Sequence, residues 1–145
     1  MNLRIFGYWA STGLVALAFA AGGVADLSGA PSVLAGMAHL GYPPYFAVIL
    51  GSWKLLGAVA VLAPRLPRLK EWAYAGMAFD LSGAAASHAA VADGFAKVSI
   101  PLVLLGLVAA SWALRPGGRK LASHANSTPE FAKRDAPQRD PQLAV

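Results

Sequence analysis

Four long apolar stretches, at residues 7–25, 45–63, 72–92 and 98–114, constrain this chain more than any other feature in it. Crossing the hydrocarbon layer of a bilayer takes roughly 17 to 25 mainly apolar helical residues, because lipid offers an open backbone no hydrogen-bonding partner. Each stretch meets that requirement, so the chain reads as all-α, a membrane-embedded antiparallel bundle of four helices. Composition agrees, with 57% hydrophobic and 13% charged residues; that is about half the charged share of an ordinary soluble protein and too little to cover a water-facing surface. Tyr8, Trp9, Tyr42, Tyr45, Trp72, Tyr74 and Trp112 lie near segment ends, where amphipathic rings favour the headgroup layer, and Trp53 is the exception. Pro101 is expected in the first turn of the last segment, where a missing N–H is tolerated.

The connections 64–71 and 93–97 are short, which forces antiparallel neighbours. The connection 26–44 is longer: Pro31 can open a short helix and Gly41 can close it, with Val33, Leu34, Met37 and Leu40 on one side. It is expected to lie at the interface or to cap the bundle between the first and second long helices. Cytoplasmic flanks retain Lys and Arg. One side holds Arg4, Arg65, Arg68, Lys70, Arg115, Arg119 and Lys120 and the other only Lys97, which predicts a multi-pass protein with both termini cytoplasmic. The same basic residues are read as contacts to anionic lipid, and their dispersal over short loops argues against nucleic acid despite a net charge of +5. Residues 1–116 are expected to form the transmembrane domain. Residues 117–145, polar and proline-rich, are expected to be a disordered cytoplasmic tail. Arg4 before an apolar run ending in Gly23-Val24-Ala25 also fits a cleavable signal peptide, although the run is longer than most signal cores.

Two charges interrupt the oily segments. Lys54 stands at the midpoint of 45–63, and Asp80 is two residues from the midpoint of 72–92, or about 3 Å along a helix. A charged side chain at a helix centre costs about 2.5 to 3.5 kcal/mol on insertion scales, so both should turn inward. Gly51, Lys54, Gly57 and Ala58 share one helical face, and Gly76, Asp80, Gly83, Ala84 and Ser87 share another. Small residues let membrane helices approach closely, which predicts a Lys54–Asp80 contact. One reading is that the pair only sets helix register. The other is that Lys54, Asp80, Ser87 and His88 line an intramembrane polar pocket for a headgroup, a quinone carbonyl or a proton in transit.

Asp26, His39, His88 and Asp93 should gather at the outer face. Two histidines and two carboxylates can bind a metal or shuttle protons. No tight ligand spacing such as H-E-x-x-H is present, so capping and interfacial roles are expected ahead of a metal site. Ser11, Thr12, Ser82, Ser87 and Ser111 read as packing hydroxyls, and no catalytic triad order, phosphate loop or dinucleotide fingerprint occurs. With no cysteine, the chain has no thiol chemistry of its own. No catalytic residue and no intrinsic cofactor site is assigned.

Several blocks, taken in order, resemble the DoxX-like family of bacterial membrane proteins: Tyr8-Trp9 with Ser11-Thr12-Gly13, Gly22 to Asp26-Leu27, His39-Leu40-Gly41-Tyr42-Pro43, Leu50-Gly51 with Trp53-Lys54-Leu55-Leu56-Gly57, Leu69-Lys70-Glu71-Trp72-Ala73-Tyr74-Ala75-Gly76, and Ser87-His88. The resemblance spans about residues 8–116. It implies a four-helix protein of the bacterial inner membrane. The family is named for its similarity to a small membrane subunit of thiosulfate:quinone oxidoreductase, and some relatives are linked to membrane oxidoreductase complexes. The expectation is therefore a small accessory or redox-associated subunit, with a quinone or a lipid as the ligand of its pocket and a membrane oxidoreductase complex as partner. The alternatives are a small proton-coupled permease or lipid-like ligand carrier, and a purely structural assembly factor.

Overall fold

The structure, a computed structural model, describes residues 2–117, and every regular element among them is helical. In chain order these are α1 (Leu3–Ser28), α2 (Pro31–His39), α3 (Pro44–Leu62), α4 (Pro67–Ala90) and α5 (Phe95–Leu114). Proline opens α2, α3 and α4 from their first turns, where its fixed φ suits a helix and its missing N–H would have had no partner. Gly29 closes α1 at φ 63° and Gly41 follows α2 at φ 80°, left-handed positions that glycine takes without a Cβ clash. The long helices overrun the expected segments at most ends. Because α5 begins at Phe95, Pro101 lies inside the helix rather than in its first turn. The expected disordered tail lies outside the described residues apart from Gly117.

The helix α1 packs against α3 and α5, α4 packs against α5 and α3, and α2 rests on α3. The core between them comes from all four long helices, with Val15 and Phe19 meeting Ala58, Val61, Met77, Leu81 and Val108. Outside it, large apolar side chains point away from the protein: Leu17, Val59 and Val103 are each at least 65% exposed. That is a surface for lipid rather than for water.

The helices α1 and α3 approach closely at Gly23 and Gly51. A Cβ on Gly23 would stand 2.9 Å from the Gly51 carbonyl oxygen, and one on Gly51 would stand 2.8 Å from that of Gly23. Only glycine allows this crossing, the close packing small residues permit between membrane helices.

Among the described residues three helices, α1, α3 and α5, are long and apolar enough to cross a membrane. The expected third span, at 72–92, is not among them. Its helix α4 has 24 residues, ample length, but Asp80, Ser82, Ser87 and His88 dilute its apolar character.

Candidate functional site

The crossing at Gly23 and Gly51 decides which charges meet. One helical turn beyond each glycine stand Asp26 and Lys54, and Lys54 Nζ donates to Asp26 Oδ2 at 2.8 Å. This overturns the expected Lys54–Asp80 contact. Depth was a sound guide to which residues turn inward, but α1 approaches α3 more closely than α4 does, and Asp26 is thereby taken out of the expected outer-face group and buried beside Lys54. The repeated signal, Gly23-x-x-Asp26 and Gly51-x-x-Lys54, was present in the sequence.

Asp80 is left half-buried. It forms no hydrogen bond and no ion pair within 4.0 Å among the described residues, and only the fields of Lys54 and Asp26 reach it. It stands on the wall of a cavity of about 470 Å³ between α1, α3 and α4, lined also by Phe19, Phe46, Leu50, Lys54, Phe79, Ser87 and His88. The four residues singled out as pocket-lining, Lys54, Asp80, Ser87 and His88, thus share one cavity with mostly apolar walls.

One end of this cavity is covered by α2 and the turn after it, through Met37, Leu40 and Tyr42. Two links fasten that cover. Tyr42 Oη is 2.7 Å from Ser87 Oγ, while Ser87 donates to the Gly83 carbonyl at 2.8 Å, so Tyr42 donates to Ser87. The Tyr42 ring stacks on Phe46 at 4.7 Å. Asp93, in the turn between α4 and α5, receives His39 of α2 at 2.9 Å, His88 of α4 at 2.7 Å and Lys97 of α5 at 3.0 Å. The bonds from His88, then Lys97, then His39, together with the charge on His39, hold the Asp93 carboxyl well below the usual carboxylate range. Of the expected outer group, His39, His88 and Asp93 come together and Asp26 does not. Among the described residues no cluster of three or more metal-ligating side chains is placed to hold a metal.

The DoxX-like family matches residues 10–111. The chain belongs to that family. No curated protein and no solved structure matches this DoxX-like protein.

At the opposite end of the DoxX-like domain, two residues read from sequence as lipid-facing basic signals are buried. Lys70 Nζ donates to the carbonyls of Ala60, at 3.1 Å, and Val61, satisfying the last turn of α3 and answering the negative end of its dipole. Arg115 Nη2 donates to Glu71 Oε1 at 2.8 Å and its Nε to the Trp112 carbonyl at 3.0 Å. Its guanidinium lies 5.0 Å from the Tyr74 ring centre. Glu71 also accepts from Trp112 Nε1 at 2.9 Å. Beneath them, the hydroxyls of Thr12 and Tyr74 each lie 2.7 Å from Ser111 Oγ, tying α1, α4 and α5 together as the packing role of Thr12 and Ser111 required. Basic residues at a membrane boundary read alike from sequence whether they face lipid or fold inward. Arg65 and Arg68 remain exposed.

Proposed function

We propose that this DoxX-like protein is a small accessory subunit of the bacterial inner membrane that holds an amphiphilic ligand, of quinone or lipid type, between α3 and α4. The single observation that carries this reading is the convergence of Lys54, Asp80, Ser87 and His88 on one cavity of about 470 Å³ whose remaining walls are apolar. Ligand sites are typically concave and mostly apolar with a few convergent polar groups. An ionisable side chain at mid-membrane depth is, by default, a functional one. A dry structural core would have no reason to leave Asp80 without a partner.

In this reading all four long helices cross, antiparallel to their neighbours, with both termini cytoplasmic. The turns 63–66 and 91–94 are too short for any other arrangement of α3, α4 and α5. Trp72, 81% exposed on α4, gives that helix a large apolar side chain open to lipid. Arg4, Arg65 and Arg68 at one end against Lys97 at the other supply the charge bias.

Gly83 provides the test. It lines the cavity, and a Cβ there meets nothing within 4 Å, so Gly83→Leu fills the cavity with little strain and with improved helix propensity. Wild-type protein extracted from membranes should retain a small amphiphile detectable as a mass loss in native mass spectrometry, and Gly83→Leu should fold normally and retain none. Equal retention by both proteins, or none by the wild type, overturns the assignment.

A further inference from the structure

The hydrogen-bonding ledger of the cavity selects the head of the ligand. Resting on the reading of the cavity as a binding site, we propose that its occupant carries a cationic, hydrogen-bond-donating head, an organic ammonium on an apolar tail, received by Asp80. Charge comes first. Lys54 already faces Asp26 at 2.8 Å, so its charge is answered, and Asp80 is the acidic side chain on the wall that has no ion-pair partner among the described residues. A buried or half-buried carboxylate without a counter-ion calls for one.

Donors and acceptors point the same way. The Ser87 hydroxyl is spent on the Gly83 carbonyl and the Tyr42 hydroxyl on Ser87. The Nδ1 of His88 is engaged with Asp93 at 2.7 Å. Asp80 adds two acceptor oxygens that take no hydrogen bond among the described residues, and the charge of Lys54 is already answered by Asp26. A head that donates several hydrogen bonds while carrying positive charge suits that carboxyl on both counts at once. An anionic head suits neither. The apolar tail is accommodated by Phe19, Phe46, Leu50 and Phe79.

Three probes with one tail separate these heads: n-hexylamine, n-hexanol and n-hexanoate, binding the full chain in lipid nanodiscs at neutral pH, each measured against empty discs. The amine should bind about tenfold more tightly than the alcohol, the size of one charge-assisted hydrogen bond, and the carboxylate most weakly. Asp80→Asn should bring the amine to the level of the alcohol, while Asp80→Glu keeps the preference. An alcohol that binds as well as the amine, or a preference unchanged in Asp80→Asn, overturns the ammonium assignment and leaves the cavity reading standing. Failure of all three probes to bind wild-type protein beyond empty discs removes the cavity reading and this inference with it. The wild-type ranking decides the matter even where Asp80→Asn does not assemble.

Discussion

Asp26 and Asp80 are the same side chain on two helices that line the same interior, yet their neighbours give them different work. Asp26 and Lys54 form a shielded pair, their side chains 10% and 22% exposed. Removing one partner of such a pair strands the other charge, so Asp26→Asn and Lys54→Met should each lower stability by about 3 kcal/mol. Asp80→Asn breaks no bond in the protein and should cost less than about 1 kcal/mol. Unfolding titrations in mixed micelles measure the contrast; an equal loss at both aspartates contradicts it. At this scale the sequence told which residues turn inward, because lipid solvates no lone charge. The partner of Lys54 was not legible, since Asp26 and Asp80 were both within reach of a helix whose neighbours were unknown.

The element that most depends on tertiary contacts is α2. None of its residues is buried, and its hold on the rest of the protein includes the His39–Asp93 bond, with the Tyr42–Ser87 bond just beyond its end. Because the folded-state Asp93 carboxyl sits below its ordinary value, the sign follows from linkage. The clasp contributes in full above about pH 4, the unfolded range of an aspartate, and is lost as pH falls through the depressed folded value. Amide protection in α2, taken relative to the intrinsic exchange rate at each pH, should therefore fall on strong acidification, while in Asp93→Asn it should be low throughout. Protection in α2 indifferent to both changes would show that the clasp does not hold it. The helix itself was legible from Pro31 and Gly41, which restrict backbone angles locally. That it covers a cavity through Met37, Leu40 and Tyr42 was open in the sequence, because a short helix with one apolar side fits a lipid surface and a protein lid equally well.

For the whole molecule, the topology turns on α4. The chain has no cysteine, so a single introduced thiol reports its own side of the membrane. Gly94 and Arg68 are exposed at opposite ends of α4. Gly94→Cys should react with an impermeant maleimide in intact cells, and Arg68→Cys only after permeabilisation. Labelling of both without permeabilisation would mean that α4 does not cross. Among the described helices composition qualifies three as crossings, because mean hydropathy cannot distinguish polar residues facing lipid from polar residues facing a cavity. In α4 Asp80, Ser87 and His88 share the cavity side while Trp72, outside that cavity, is 81% exposed.

By itself the sequence determined that the chain is helical, where its long apolar segments lie and which family it belongs to, because segment length, proline and glycine positions and ordered blocks of residues act locally along the chain. Only the tertiary structure decided that Lys54 meets Asp26, that Lys70 and Arg115 fold inward, and that Asp80 is left facing a cavity. Those outcomes depend on how closely two helices approach, and that distance was set where Gly23 and Gly51 let two backbones touch.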